Sequence, residues 1–250
     1  YRFKKKEKEM SFISNNNIDF GVAVKRGSIP NFSGIQKFGR NPAVSSTEET
    51  IANQGGNYSY ISTVGTATVT SSNTGADNGG TVKIDGLDAN YNEVSETAII
   101  GGSATTQTFI RVNRATLITA NTGTANVGNV SITVDSTTAG YIPATYSQTL
   151  QAVYTVPAKH QAYLIQLDCG TDEKEKPIHM VLKTRDTQTA NASFQTKTYL
   201  VFENTRTEHK FLMPEVIPEK HDIELRAVSP DGELEVSGGF ELVLEKVDQS

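Results

Sequence analysis

The segment DANYN places oxygen-bearing side chains at Asp88, Asn90 and Asn92. Oxygen ligands two residues apart are how a calcium-binding loop begins. A loop of that kind starting at Asp88 needs glycine at its sixth position and a bidentate glutamate at its twelfth. Those places hold Glu93 and Ile99, so both requirements fail. The flanking runs TVKI and EVSETAII alternate apolar and polar residues, the period of a strand. Asn and Asp tolerate left-handed backbone angles and fold their side chains onto nearby amides. The motif is expected to be the tip of a β-hairpin, and no metal is expected there.

Other residues able to do chemistry are scattered. His160, His179, His209 and His221 stand far apart, with no pair at metal-ligand spacing. Cys169 follows Asp168, whose charge raises a thiol pKa instead of activating it. Glu48 with Glu49, and Glu233 with Glu235, are acid pairs of a kind too common to indicate glycoside hydrolysis. No Gly-x-Ser-x-Gly elbow, phosphate loop or dinucleotide fingerprint occurs. The absence of tryptophan weakens sugar stacking, although nine tyrosines leave it open. The sequence therefore predicts no enzyme, no catalytic residue and no cofactor.

Positioning elements come next. The chain of 250 residues has room for one large or two modest domains, and its net charge is −5. That balance favours no nucleic-acid partner, and without eighteen consecutive apolar residues no membrane span is expected. The basic start YRFKKKEKEM is followed by polar ISNNN, unlike a secretory signal. A single cysteine suits a reducing cytoplasm. Met10 offers a second start, and purine-rich codons for KKEKE resemble a ribosome-binding site. Residues 1–9 thus read as an upstream leader or as a basic, solvated tail.

Charge divides the chain. Residues 1–47 hold nine Lys or Arg against three acids, residues 48–142 three against eight, and residues 143–250 eleven against seventeen. The first segment, with VKRGSIPNFSGIQKFGRNPAV, shows no helical or strand period and is expected to be an extended basic arm. Within it Phe32, Ile35 and Phe38 lie among Lys25, Arg26, Lys37 and Arg40, a pattern suited to docking on another surface; the arm could instead lie across its own domain. Residues 48–142 carry short β-prone runs from YSYIS to GNVSITVDS, separated by turns such as NTGADNGG. Residues 143–250 carry seven or so, ending in ELEVSGGFELVLEKV, with Pro157, Pro214 and Pro218 at strand ends. The expected fold is all-β: two β-sandwich or jelly-roll-like domains preceded by an extended N-terminal arm.

Several segments carry a family resemblance. GSIPNFSGIQKFGRNPAV, VKIDGLDANYNEVSETAII with FIRVNRATLITA after it, and YTVPAKHQAYL, MPEVIPEKHDIELRA and VSGGFELVL resemble a family of virion structural proteins. These occur in tailed bacteriophages, notably short-tailed marine and cyanobacterial ones. The resemblance covers the chain from about residue 20, and FSGIQKFGRNP and GLDANYNEVSET are its distinctive stretches. Many relatives have glycine after the VPA motif, where this chain has Lys159, so a different turn is expected. The resemblance implies a place in the virion, assembly in the bacterial cytoplasm, other virion proteins as partners and no catalytic residues. A capsid-decoration role is favoured over a tail, baseplate or fibre position. The thin cores predict a homo-oligomer, for which the resemblance to phage surface proteins implies a trimer first, and the arm is expected to fasten it to the particle. The rival class is a receptor- or glycan-binding adhesin using Tyr58, Tyr60, Tyr91 and Tyr141.

Overall fold

Alternation of inward apolar and outward polar residues, as in the VSITV run of residues 130–134, governs nearly every element. The computed structural model of the protein describes residues 19–173, 175–203 and 205–247; the leader expected at residues 1–9 and the start at Met10 lie outside them. Among the described residues sixteen strands stand against two short helices, so the chain is all-β. No described helix is long and apolar enough to cross a membrane.

Helix α1 (Phe20–Lys25) is one turn long and capped by the Asp19 carboxylate on the Gly21 amide. It leads into β1 (Phe32–Val44) and the short β2 (Glu49–Thr50). The middle of the chain forms β3 (Gly65–Ser71), α2 (Thr74–Asp77), β4 (Thr81–Leu87), β5 (Glu93–Ile99), β6 (Thr108–Phe109), β7 (Arg111–Thr119), β8 (Val130–Val134) and β9 (Thr137–Ile142). There follow β10 (Val153–Thr155), β11 (His160–Thr171), β12 (Ile178–Asp186), β13 (Gln195–Phe202), β14 (Arg206–Ile217), β15 (His221–Val228) and β16 (Leu234–Lys246).

These strands make two sandwiches. In the first, the sheet β1–β16–β11–β14 faces the sheet β10–β15–β12–β13, with β2 also on β15. Leu164, Leu167, Met180, Leu225 and Phe240 fill the space between them. In the second, β6–β3–β8–β9 and β5–β4–β7 enclose Ile84, Phe109, Val112, Ile132 and Ile142. Neighbouring strands run antiparallel throughout.

The order of the pieces differs from the expected arm, domain, domain. Residues 32–44 are not a separate arm: β1 pairs along β16, from Phe32 opposite Glu245 to Asn41 opposite Val236. With β2 on β15, the chain starts in the C-terminal sandwich, leaves it to build the Ser/Thr-rich one, and returns. The second sandwich is an insertion within the first. The strand period of β1 is hidden because three of its four buried positions are Lys37, Gly39 and Asn41, with Val44 the one apolar residue among them.

Other expectations shift locally. YSYIS forms no strand but a loop after β2, with Tyr58 buried. Pro214 lies inside β14, within an irregularity of its pairing with β11, where an edge strand tolerates the missing N–H. Lys159 has a φ of 61°, the left-handed conformation that glycine takes at no steric cost.

Gly39 marks where the first sandwich is tightest. A methyl group there would sit 1.9 Å from the Ile51 carbonyl oxygen and 2.5 Å from the Ala152 nitrogen. Those two groups are themselves hydrogen-bonded at 2.9 Å, so neither moves freely. Gly39→Ala is expected to cost about 1–3 kcal/mol or more by overpacking. Urea denaturation checks this, and an unchanged midpoint would return residues 32–44 to the status of a free arm.

Candidate functional site

The DANYN segment joins β4 to β5 as a turn held by its own first residue. The Asp88 carboxylate accepts from the Asn90 and Asn92 amides at 2.8 and 2.9 Å, and from Asn92 Nδ2 at 3.2 Å. Burial would raise the Asp88 pKa, but these bonds from Asn92 and Asn90 hold it below the usual aspartate value. The turn also reaches into the other sandwich. The Ala158 amide donates to the Tyr91 carbonyl at 2.8 Å, and the Tyr91 ring lies 5.7 Å from the Arg111 guanidinium.

Arg111 opens a buried lattice along the seam between the sandwiches. Asp222, at the start of β15, is completely buried. It accepts from Arg111 Nε and Nη2 at 2.8 and 3.1 Å, from Arg185 Nη2 and Nε at 2.6 and 3.2 Å, and from Thr155 Oγ1 at 2.7 Å. Tyr60 lies against both guanidinium groups, 5.0 Å from Arg111 and 4.4 Å from Arg185. Its hydroxyl donates at 3.3 Å to Glu224, also fully buried, which accepts from Arg226 and Thr50 too. Arg226 continues to Glu48 at 2.9 Å, and Glu48 pairs with Lys183 at 2.6 Å. Burial alone would raise the Glu48 pKa, but the bonds from Lys183 and Arg226 bring it below its ordinary value. The tyrosines considered for an adhesin surface are taken up here: Tyr58 is buried with its hydroxyl on the Ala139 carbonyl, and Tyr60 and Tyr91 are half-buried against arginine. Tyr141 is half-buried in β9.

Beside this lattice a cleft of about 470 Å³ is lined by β1 and the inserted sheet. Ile35, Lys37 and Phe38 of β1 line it together with Asp85, Glu93, Val94, Arg114 and Tyr154. Four of the seven residues expected to dock on a particle, Lys25, Ile35, Lys37 and Phe38, thus meet at one cleft. Their cations are engaged within the chain. Lys25 Nζ donates to the Gly34 carbonyl at 2.7 Å, Lys37 Nζ to the Asn113 carbonyl, and Arg40 Nε to Glu235 at 2.7 Å. Phe32 is half-buried and Arg26 is exposed.

Lys37 is 4% exposed, and burial, with Arg114 adding to it and Asp85 opposing, lowers its pKa to about 7. The Tyr154 hydroxyl is buried with no hydrogen-bond partner among the described residues, and burial raises its pKa. Nothing in the sequence marks either group, because a lysine in a basic stretch and a tyrosine in a strand are both ordinary.

The remaining reactive residues stay apart. His179 meets the Tyr199 hydroxyl at 2.7 Å, His209 packs edge-on against Phe211, and His160 and His221 each contact a backbone carbonyl two residues earlier. Cys169 is buried, and burial with the Asp168 charge pushes its thiol up to about 12. No described group of three His, Cys, Asp or Glu could hold a metal ion.

Two outcomes follow from the seam. Asp222→Ala leaves Arg111 and Arg185 without their buried counter-charge and is expected to cost about 3–5 kcal/mol in urea denaturation, with the sandwiches loosening first at Tyr91 and Ala158 in hydrogen exchange. For Lys37 the folded-state pKa lies below the unfolded value, so between pH 7 and 10 the unfolded chain binds more protons. The destabilisation is full below pH 7 and is relieved as pH rises, by at most about 1.4 kcal/mol per pH unit. Above about pH 9 the raised Cys169 pKa acts in the opposite sense, so the rise is read between pH 7 and 9. Stability measured by denaturation should climb across that window in the wild type and stay flat in Lys37→Met.

No protein-family model and no curated protein matches the chain. Among solved structures, the VP2 subviral particle of infectious bursal disease virus is 11% identical, with 85% of this chain and 72% of that chain covered and a TM-score of 0.22. The T=1 particles derived from the same virus give 11% identity, 86% and 69% coverage and a TM-score of 0.16. Similarity at these TM-scores carries no argument about fold or function.

Proposed function

We propose that the chain is a structural, non-enzymatic component of a virus particle, and more finely a capsid-decoration protein of a tailed bacteriophage. The carrying observation is a two-sandwich body whose halves are locked by the Asp222–Arg111–Arg185 lattice, so that it transmits load as one piece. The segments that resemble phage virion proteins support the finer reading, and they include β1 and the DANYN turn at the seam.

The attachment face is recast from an extended arm to the surface of residues 20–44. Phe20, Val22 and Phe38 remain 54%, 44% and 39% exposed there, beside exposed Arg26. Because Lys25, Lys37 and Arg40 already bond within the chain, apolar burial should dominate the contact with other virion proteins. Copies of the same chain are the second partner, in a trimer. Leu212 and Met213, fully and 87% exposed on the edge strand β14, are an apolar surface that such a contact would cover.

Co-sedimentation with particles lacking the protein tests the attachment face. Changing Phe20, Val22 and Phe38 together to Ser is expected to weaken binding by about a hundredfold, equivalent to about 1 kcal/mol per side chain. Arg26→Gln should change little at moderate salt. Wild-type binding by the triple variant would remove this face from the contact.

A further inference from the structure

The seam cleft combines four features that a purely structural joint does not need. Its volume of about 470 Å³ is that of a small-molecule site. Ile35, Phe38 and Val94 give it apolar walls. Tyr154, 3% exposed, is part of its lining, and its buried hydroxyl has no acceptor among the described residues. Lys37 is likewise buried in its lining, with an amine hydrogen on the Asn113 carbonyl. A buried donor left without an acceptor costs free energy that a bound carbonyl oxygen would recover.

We propose that this cleft binds a small 2-oxo acid, which the Lys37 amine captures as an imine. The Arg114 guanidinium uses one Nη2 hydrogen on the Gln36 carbonyl at 2.8 Å, and its remaining donors suit a carboxylate in a forked pair. Lys25 adds a second positive charge to the lining. Two acids share the lining: Asp85 is paired with Lys83 at 2.8 Å, and the Glu93 charge acts on Tyr154. With its pKa near 7, Lys37 is largely neutral at pH 7.5, and donating one hydrogen to Asn113 leaves its lone pair available. That pair forms a bond to the carbonyl carbon while the Tyr154 hydroxyl steadies the carbonyl oxygen. The oxygen then departs as water with both amine hydrogens, leaving a C=N bond. No oxidant or reductant enters the step.

Pyruvate with cyanoborohydride at pH 7.5, followed by peptide mapping, tests the proposal on the whole chain. One reduced adduct is expected at Lys37, forming about a hundredfold faster than at the salt-bridged surface lysines Lys83 and Lys210. Acetaldehyde, which lacks the carboxylate, separates recognition from bare reactivity. Arg114→Gln, which also removes a charge that keeps Lys37 neutral, should slow both probes but pyruvate about tenfold more than acetaldehyde, whereas Tyr154→Phe should slow both alike. Adducts spread over exposed lysines with Lys37 unlabelled would overturn the proposal. So would equal sensitivity of both probes to Arg114→Gln.

Discussion

Asp222 is an acid with no exposure to water, and everything along the seam is arranged around that constraint. A buried carboxylate is tolerable only when charges and hydrogen bonds replace its hydration. Five hydrogen bonds do so, and they come from both sandwiches: Arg111 from the inserted one, Arg185 and Thr155 from the host. Two arginines converging on one acid would repel each other, and the Tyr60 ring beside both supplies a face that attracts cations. Such a group adds little to net stability compared with well-packed apolar residues. Its effect is to penalise every other relative placement of the sandwiches, since any shift strands a buried charge.

The cleft inherits its shape from this lock. Asn113, whose carbonyl takes Lys37, lies two residues beyond Arg111 on β7, and its side-chain oxygen accepts from the Thr155 amide at 3.2 Å. Tyr154 is the neighbour of Thr155 on β10. The groups lining the cleft are therefore fixed by the strands that hold the lattice, and the cavity is formed before anything enters it. Preorganisation of this kind lowers the entropic cost of binding.

What the sequence made visible was wherever burial and hydropathy coincide. The alternation in β8 and the Asx chemistry of DANYN are local signals, and both appear in the structure where local reasoning puts them. β1 was illegible because Lys37, Gly39 and Asn41 occupy the inward positions that apolar residues usually fill. Lys25, Lys37 and Arg40 were expected to meet another surface, yet their partners are two backbone carbonyls and Glu235 within the chain. The Arg111–Asp222 pair joins residues 111 positions apart, and nothing in a single sequence couples them. The nesting of one sandwich in the other was hidden for the same reason, since it depends on pairings made across the whole chain.

That nesting has a kinetic consequence. Arg40 on β1 and Glu235 on β16 are 195 positions apart, so the host sandwich cannot close until an entire other unit has been traversed. The inserted sandwich depends on nearer pairings, such as β4 with β5 and β8 with β9, and can form as soon as its own residues leave the ribosome. Residues 32–44 must meanwhile remain unpaired, a strand awaiting its complement. A completed insert shortens that wait by drawing its two flanks together, and so acts as an internal template for the sandwich that surrounds it.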